Sequence, residues 1–217
     1  MKIKKYLLCL LLIPLMLILL LTACNGDKMV EDGVILYAEG NYEEARDILL
    51  KAREGKLKEY STFQIDKYLS LIFIKLGDGG NAVKYAKNVV DADTYSVDSW
   101  TNYGLALKTD GQQQAAADAY ENALALGQKL NPVPDLSKTY TSLGALYFEM
   151  GEPVKARDSL LHSIESNPDF ADAYAYIAIV YASLYQFEES DAMLQQAIAL
   201  GYTKVDEVEE QIAHYTE

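Results

Sequence analysis

The feature that most constrains this chain is a recurrence of roughly 34 residues that runs through it from about residue 26 onward. Ala45, Ala82, Ala116, Ala156 and Ser190 follow one another at intervals of 37, 34, 40 and 34 residues. Each stands five residues after a turn-like position: Gly40, Gly77, Gly111, Gly151 and, as the exception, Tyr185. Seven residues before those come the small residues Gly33, Ser70, Gly104, Gly144 and Ala178, with Leu36, Phe73, Leu107, Tyr147 and Tyr181 in between. Two apolar faces at helical spacing, parted by a turn and repeated, describe stacked helical hairpins. Small residues on both helices let a hairpin close, and bulky ones fill the grooves within and between copies. One hairpin alone exposes its apolar face, so such an array becomes stable at about three copies.

These residues resemble the tetratricopeptide repeat (TPR), an aromatic-x2-Leu-Gly-x2-Tyr pattern followed by a small residue, an aromatic and often a proline. The fourth copy carries it most fully, with Tyr140, Leu143, Gly144, Tyr147, Gly151, Ala156, Leu160 and then Pro168. The third has Trp100, Tyr103, Gly104, Leu107, Gly111, Ala116 and Tyr120. The resemblance implies an all-α fold, a right-handed α-solenoid of about five repeats over residues 26–59, 63–96, 97–130, 137–170 and 171–202. Residues 203–217 are expected to form a capping helix, with Val205, Val208 and Ile212 inward and Asp206, Glu207, Glu209 and Glu210 in solvent. Asn131-Pro132-Val133-Pro134 falls in the longest interval and reads as loop, as does Asp78-Gly79-Gly80-Asn81.

The N-terminus has a different composition. Lys2, Lys4 and Lys5 precede an apolar run from Leu7 to Leu21, the layout of an export signal. The run closes on Leu21-Thr22-Ala23-Cys24, which resembles the lipobox of bacterial lipoproteins. The resemblance implies a signal peptide over residues 1–23 and lipidation of Cys24, which with Asn25 forms the mature N-terminus. An uncleaved membrane helix would need about 20 apolar residues, and this run is shorter. Cys9 leaves with the signal, so the mature chain has no free thiol for a disulfide, a thiolate catalyst or a cysteine metal site. The expected location is the extracytoplasmic face of a bacterial cell membrane. Lysine outnumbers arginine sixteen to three, a bias of AT-rich genomes that favours a Gram-positive host.

Charge narrows the partners. Without Lys2, Lys4 and Lys5 the whole-chain balance of −13 becomes −16. Such a surface repels nucleic acid and anionic lipid, so acyl chains must hold the protein on its membrane. The two histidines, His162 and His214, are far apart and fit no metal motif. Asp91-Ala92-Asp93 opens like a calcium loop, but Ser96 and Asn102 stand where glycine and glutamate are required. No nucleophile with an identifiable base is visible, so neither an enzyme nor a cofactor is expected.

The resemblance places a ligand groove on the first helices of the repeats. Tyr37, Tyr68, Leu71, Leu105, Phe148, Tyr176 and Ile179 fall there and suit a protein or peptide ligand. Lys67, Asn102 and Lys138 match three positions with which some TPR proteins grip a peptide's C-terminal carboxylate. Leu71 and Ser142 stand where that clamp has asparagine and arginine, and the loss of the arginine removes its bidentate grip. The expected function is therefore a lipid-anchored scaffold or assembly factor that binds a partner protein. The alternative is a surface lipoprotein that stacks sugars on aromatic rings, a role poorly served by a single Trp at a packing position.

Overall fold

The computed structural model describes residues 26–216, so Cys24 and the apolar run before it lie outside the described residues. The described residues form eleven helices and no strand. They are α1 Gly26–Ala38, α2 Tyr42–Glu54, α3 Thr62–Lys75, α4 Gly79–Ala92, α5 Val97–Thr109, α6 Gln113–Gly127, α7 Ser137–Glu149, α8 Pro153–Ser166, α9 Ala171–Ser183, α10 Phe187–Ala199 and α11 Val205–Ala213. None is long and apolar enough to cross a membrane. The chain divides after Ala92 into two compact units, the first holding α1–α4 and the second α5–α11.

Within each hairpin the same turn recurs. The first helix ends in a residue at positive φ: Gly40 at 83°, Gly77 at 72°, Gly111 at 77° and Gly151 at 76°. Around Gly111 the backbone N–H of Gln112 bonds back to Leu107 O and that of Gly111 to Lys108 O, the paired bonds of a Schellman turn. Both bonds require a left-handed residue, which glycine adopts without steric cost. In the fifth hairpin Tyr185 takes that place at φ 60°, with Gln186 N bonded to Tyr181 O and Tyr185 N to Ala182 O. A side chain there strains the backbone by roughly 1–2 kcal/mol.

The small residues act through contact distance. A Cβ on Gly104 would lie 2.7 Å from the Tyr120 ring, and one on Gly33 would lie 2.6 Å from Leu49. Both partners are fully buried. Tyr120 carries its hydroxyl inward without a hydrogen bond. Its polar neighbour Ser142 sends its own proton to the Lys138 carbonyl, and burial pushes the phenol well above the tyrosine range. Ser190, in the place of the recurring alanine, donates to the Ala178 carbonyl at 2.8 Å.

In the first unit α2 packs on both α1 and α3, and a charged staple crosses the junction. Arg53 of α2 donates from Nε and Nη2 to the two oxygens of Asp66 on α3, at 2.6 and 3.1 Å. Asn88 of α4 adds a third bond to that carboxylate at 2.9 Å. Asp66 is 3% exposed. At the entry of α1, Asp27 accepts the backbone N–H groups of Lys58, Glu59 and Tyr60, and the bond from Lys58 does most to hold its carboxyl below the usual range.

The second unit ties its helices, both between and within hairpins, with hydroxyls. Thr139 of α7 meets Thr101 of α5 at 2.8 Å, and Thr101 sends its own proton to the Val97 carbonyl, so Thr139 is the donor. Thr141 meets Ser163 at 2.8 Å, and Ser163 donates on to the Ser137 carbonyl. Helix α9 touches α7, α8, α10 and α11, so Ala173, Ala175, Ile177, Ala178 and Val180 are all buried, while Asp172 and Tyr176 stay exposed on one face. Helix α11 buries Val208, and Val205 and Ile212 pack beside it over Ala175 and Ile179. Asp78-Gly79-Gly80-Asn81 differs from its sequence reading: helix α4 already starts at Gly79. The Asp78 carboxylate holds that first turn by accepting from the Asn81 side chain and backbone, at 2.8 and 3.1 Å.

Candidate functional site

Two surfaces gather the candidate residues, one in each unit. In the first unit an open groove of about 730 Å³ lies between α1 and α3. Its α1 bank is Val30, Glu31, Val34 and Ile35, and its α3 bank is Gln64, Lys67, Tyr68 and Leu71, with Tyr60 at one end. Lys67, Tyr68 and Leu71 are thus brought together. Tyr37 supports them: its ring lies edge-on to Tyr68 at 5.7 Å and tilted to Tyr42 at 5.8 Å. Burial, followed by the neighbouring Tyr42 and Tyr68, pushes its phenol up. Ile35 is 55% exposed, a large apolar side chain left open at the groove's edge. The whole α1 bank escaped sequence reading. Its signal was the i, i+4 pair Val30 and Val34, masked by the stronger small-bulky pattern of Gly33 and Leu36.

In the second unit Phe148, Tyr176 and Ile179 are brought together at the end where α11 packs. They wall a cleft of about 600 Å³ with Gln211 and Tyr215. A smaller cleft of about 240 Å³ shares Tyr176, Ile179 and Gln211 and adds Asp172, Tyr202, Lys204 and Glu207. Tyr176 is 42% exposed, whereas Ile179 is 4% exposed and belongs to the core beneath Val208. Burial first, then Tyr176, Asp172 and Glu207, pushes the Tyr202 phenol up. Gln211 and Tyr215 were not legible as site residues, because they lie outside the repeats and read as cap, and Tyr202, the last residue of the fifth repeat, falls on none of its pattern positions.

The remaining candidates line none of these clefts. Lys67 belongs to the first unit, Asn102 and Lys138 to the second. Asn102 and Leu105 are half-buried on α5 and Lys138 is exposed on α7. Asn102 and Lys138 neighbour Thr101 and Thr139, whose hydroxyl bond ties the two helices. Trp100 donates its indole N–H to the Thr94 carbonyl at 3.0 Å and meets Tyr103 edge-on, so its ring is taken up in packing. Among the described residues no group of three His, Cys, Asp or Glu side chains is placed to hold a metal.

Two segments match family models described as tetratricopeptide repeat: residues 97–127, which span α5 and α6, and residues 170–205, which span α9 and α10. No curated protein matches the chain in sequence. Among solved structures the chain is similar to a thermophilic TPR protein of Thermus thermophilus, at 18% identity over 88% of this chain and 98% of that one, TM-score 0.67. It is similar to pilF of Pseudomonas aeruginosa at 19% identity over 88% of each chain, TM-score 0.63. A third is MamA, at 24% identity over 84% and 97%, TM-score 0.59. At these identities the likeness carries the fold, an α-solenoid of TPR repeats.

Proposed function

We propose that this protein is a lipid-anchored, extracytoplasmic binding module that holds a segment of a partner protein in the α1–α3 groove and performs no catalysis itself. The observation that carries the binding reading is the groove: Ile35 is more than half exposed beside Tyr68, which Tyr37 holds in place. An aromatic fixed in this way offers large contact area with little entropy left to lose on binding. A benzophenone amino acid at Ile35 of the full-length protein should capture a partner in the cells that make it. The same group at the exposed Lys84 on α4 should not, and Leu71→Glu should abolish capture from Ile35. Equal capture from both positions would remove the groove reading.

The anchor reading rests on Leu21-Thr22-Ala23-Cys24 and on the balance of −13, which keeps the chain off anionic lipid unless acyl chains hold it there. Each buried methylene contributes about 0.8 kcal/mol to that attachment. Cys24→Ser should abolish incorporation of labelled fatty acid and leave precursor in the membrane or release protein to the medium. A Cys24→Ser protein processed and sedimented like the wild type would show that Cys24 is not the anchor.

A further inference from the structure

The end of the second unit gathers four partly exposed aromatic rings, Phe148, Tyr176, Tyr202 and Tyr215, around the clefts beside α11. The charges there are mostly negative. Asp172 and Glu207 wall the smaller cleft, Glu149 walls the larger, and Lys204 is the one cation among the described residues lining either. Lys108 already neutralises Glu149 at 2.6 Å, and Lys204 approaches Glu207 at 3.4 Å across exposed side chains. That leaves Asp172 without an ion pair among the described residues, one helical turn before Tyr176 on the same face of α9. Asp206, Glu209 and Glu210 of α11 add charge of the same sign. Burial does most to push the Tyr202 phenol up, and Tyr176, Asp172 and Glu207 push the same way.

Tyrosine and phenylalanine rings present a negative face, so a cation lying over them in such a field is attracted twice. A guanidinium suits the place better than an ammonium. It is flat, weakly hydrated and able to stack on Tyr176 while its N–H groups reach a carboxylate. Asp172 and Glu207 would repel an acidic ligand and give a neutral one no charge pairing, and the chain's net charge of −13 draws cationic partners toward it. We infer that the clefts beside α11 bind an arginine-containing apolar segment of a partner protein. One guanidinium lies on Tyr176 beside Asp172, and an apolar side chain enters the larger cleft between Phe148 and Tyr215. This rests on the reading of the protein as a peptide-binding module and assigns it a second site, on the second unit, with a defined chemistry.

The probe is an acetylated, amidated peptide of alternating arginine and phenylalanine, titrated into the full-length protein in detergent and read by fluorescence anisotropy. Its counterparts replace every arginine with citrulline, which keeps the shape without the charge, or with glutamate. The arginine peptide should bind at least about tenfold more tightly than either, and added salt should weaken it. Tyr176→Ala and Asp172→Asn should each cost about threefold to tenfold, and Leu71→Glu in the first unit's groove should cost nothing. Equal binding of the arginine and citrulline peptides overturns the cationic site. Binding lost on Leu71→Glu and kept on Tyr176→Ala moves the ligand to the first unit and overturns it too. If no peptide binds while Ile35 still captures a partner, the inference fails and the binding module stands. If capture from Ile35 fails as well, both fall.

Discussion

The two units fasten their helices to one another by different chemistry. In the first, Arg53, Asp66 and Asn88 join three helices through a carboxylate that is almost fully buried. In the second, Thr139 to Thr101 and Thr141 to Ser163 join their helices through neutral hydroxyls that are likewise buried. The distances are similar, between 2.6 and 2.8 Å for the shortest bond of each set. The consequence of losing a partner is not. An unpaired buried carboxylate keeps a full charge without solvent, whereas an unpaired hydroxyl loses about one ordinary hydrogen bond. The same fold can therefore be fastened rigidly and expensively, or loosely and tolerantly.

That contrast breaks first at Arg53. Arg53→Met should destabilise the first unit by about 3 kcal/mol, because Asp66 would keep Asn88 alone. Arg53→Met combined with Asp66→Leu should recover most of the loss. Urea unfolding followed by hydrogen exchange in α2–α4 reads both, and equal stability of Arg53→Met and wild type would show that the staple contributes nothing.

The matching change in the second unit is smaller. Thr139→Val keeps the shape and removes the donor, at about 1 kcal/mol. A loss as large as that of Arg53→Met would end the distinction between charged and neutral fastening. A third change sharpens it with the opposite sign. Both hairpins of the first unit turn on glycine, and the fifth hairpin turns on Tyr185. Tyr185→Gly should raise stability by about 1 kcal/mol, since the ring is 74% exposed and its main contact is Phe187 edge-on. A lower melting point would mean that this contact outweighs the backbone strain.

The smallest expected effect concerns acid, where the units should behave alike. Asp27 clasps the backbone of residues 58–60, its bond from Lys58 N measuring 3.0 Å, and Asp135 clasps Ser137 N and the Asn167 amide, each at 2.8 Å. Hydrogen bonds, from Lys58 for Asp27 and Ser137 for Asp135, hold both carboxyls below their ordinary values. A lowered folded-state value means stability present above the unfolded value and lost as pH falls through the folded one. Amide protection at Lys58 and at Ser137 should therefore fade together below the usual carboxylate range and be unchanged above it. Fading at one site alone would show that the two clasps are not equivalent.

What was legible in the sequence follows from how many residues each feature needs. A left-handed turn or a helix contact below 3 Å is decided by one residue, so Gly111 and Gly104 show at fixed spacing. Tyr185 could be placed by register even though its residue type gives no hint of its backbone. The staples were illegible because their partners stand 13 to 38 residues apart and pair by geometry alone. Asp78 hid a helix start, because the glycines after it read as loop until its carboxylate is seen holding the Asn81 N–H. Of the groove residues, Tyr68 and Leu71 lie on a repeat position that sequence can number. Ile35 lies on one too, but at the place where Ile72, Ala106, Leu146 and Val180 are buried, so its exposure, like the clefts at Tyr202 and Tyr215, became visible once helices distant in sequence stood side by side.

Helix α9 has a consequence for biosynthesis. Its apolar side, with Ala175, Ala178 and Ile179, packs against residues of α10 and α11 that follow it in the chain. When the chain is made from its N-terminus, α9 emerges before α10 and α11, the two helices that complete its surroundings. During that interval Ala175, Ile179 and their neighbours face water, and the nascent chain is at its most prone to aggregate. The acidic α11 ends the interval: its carboxylates face solvent while Val208 packs over Ala175 and Ile179. Among the described helices the last in chain order is thus the one that ends the exposure of α9.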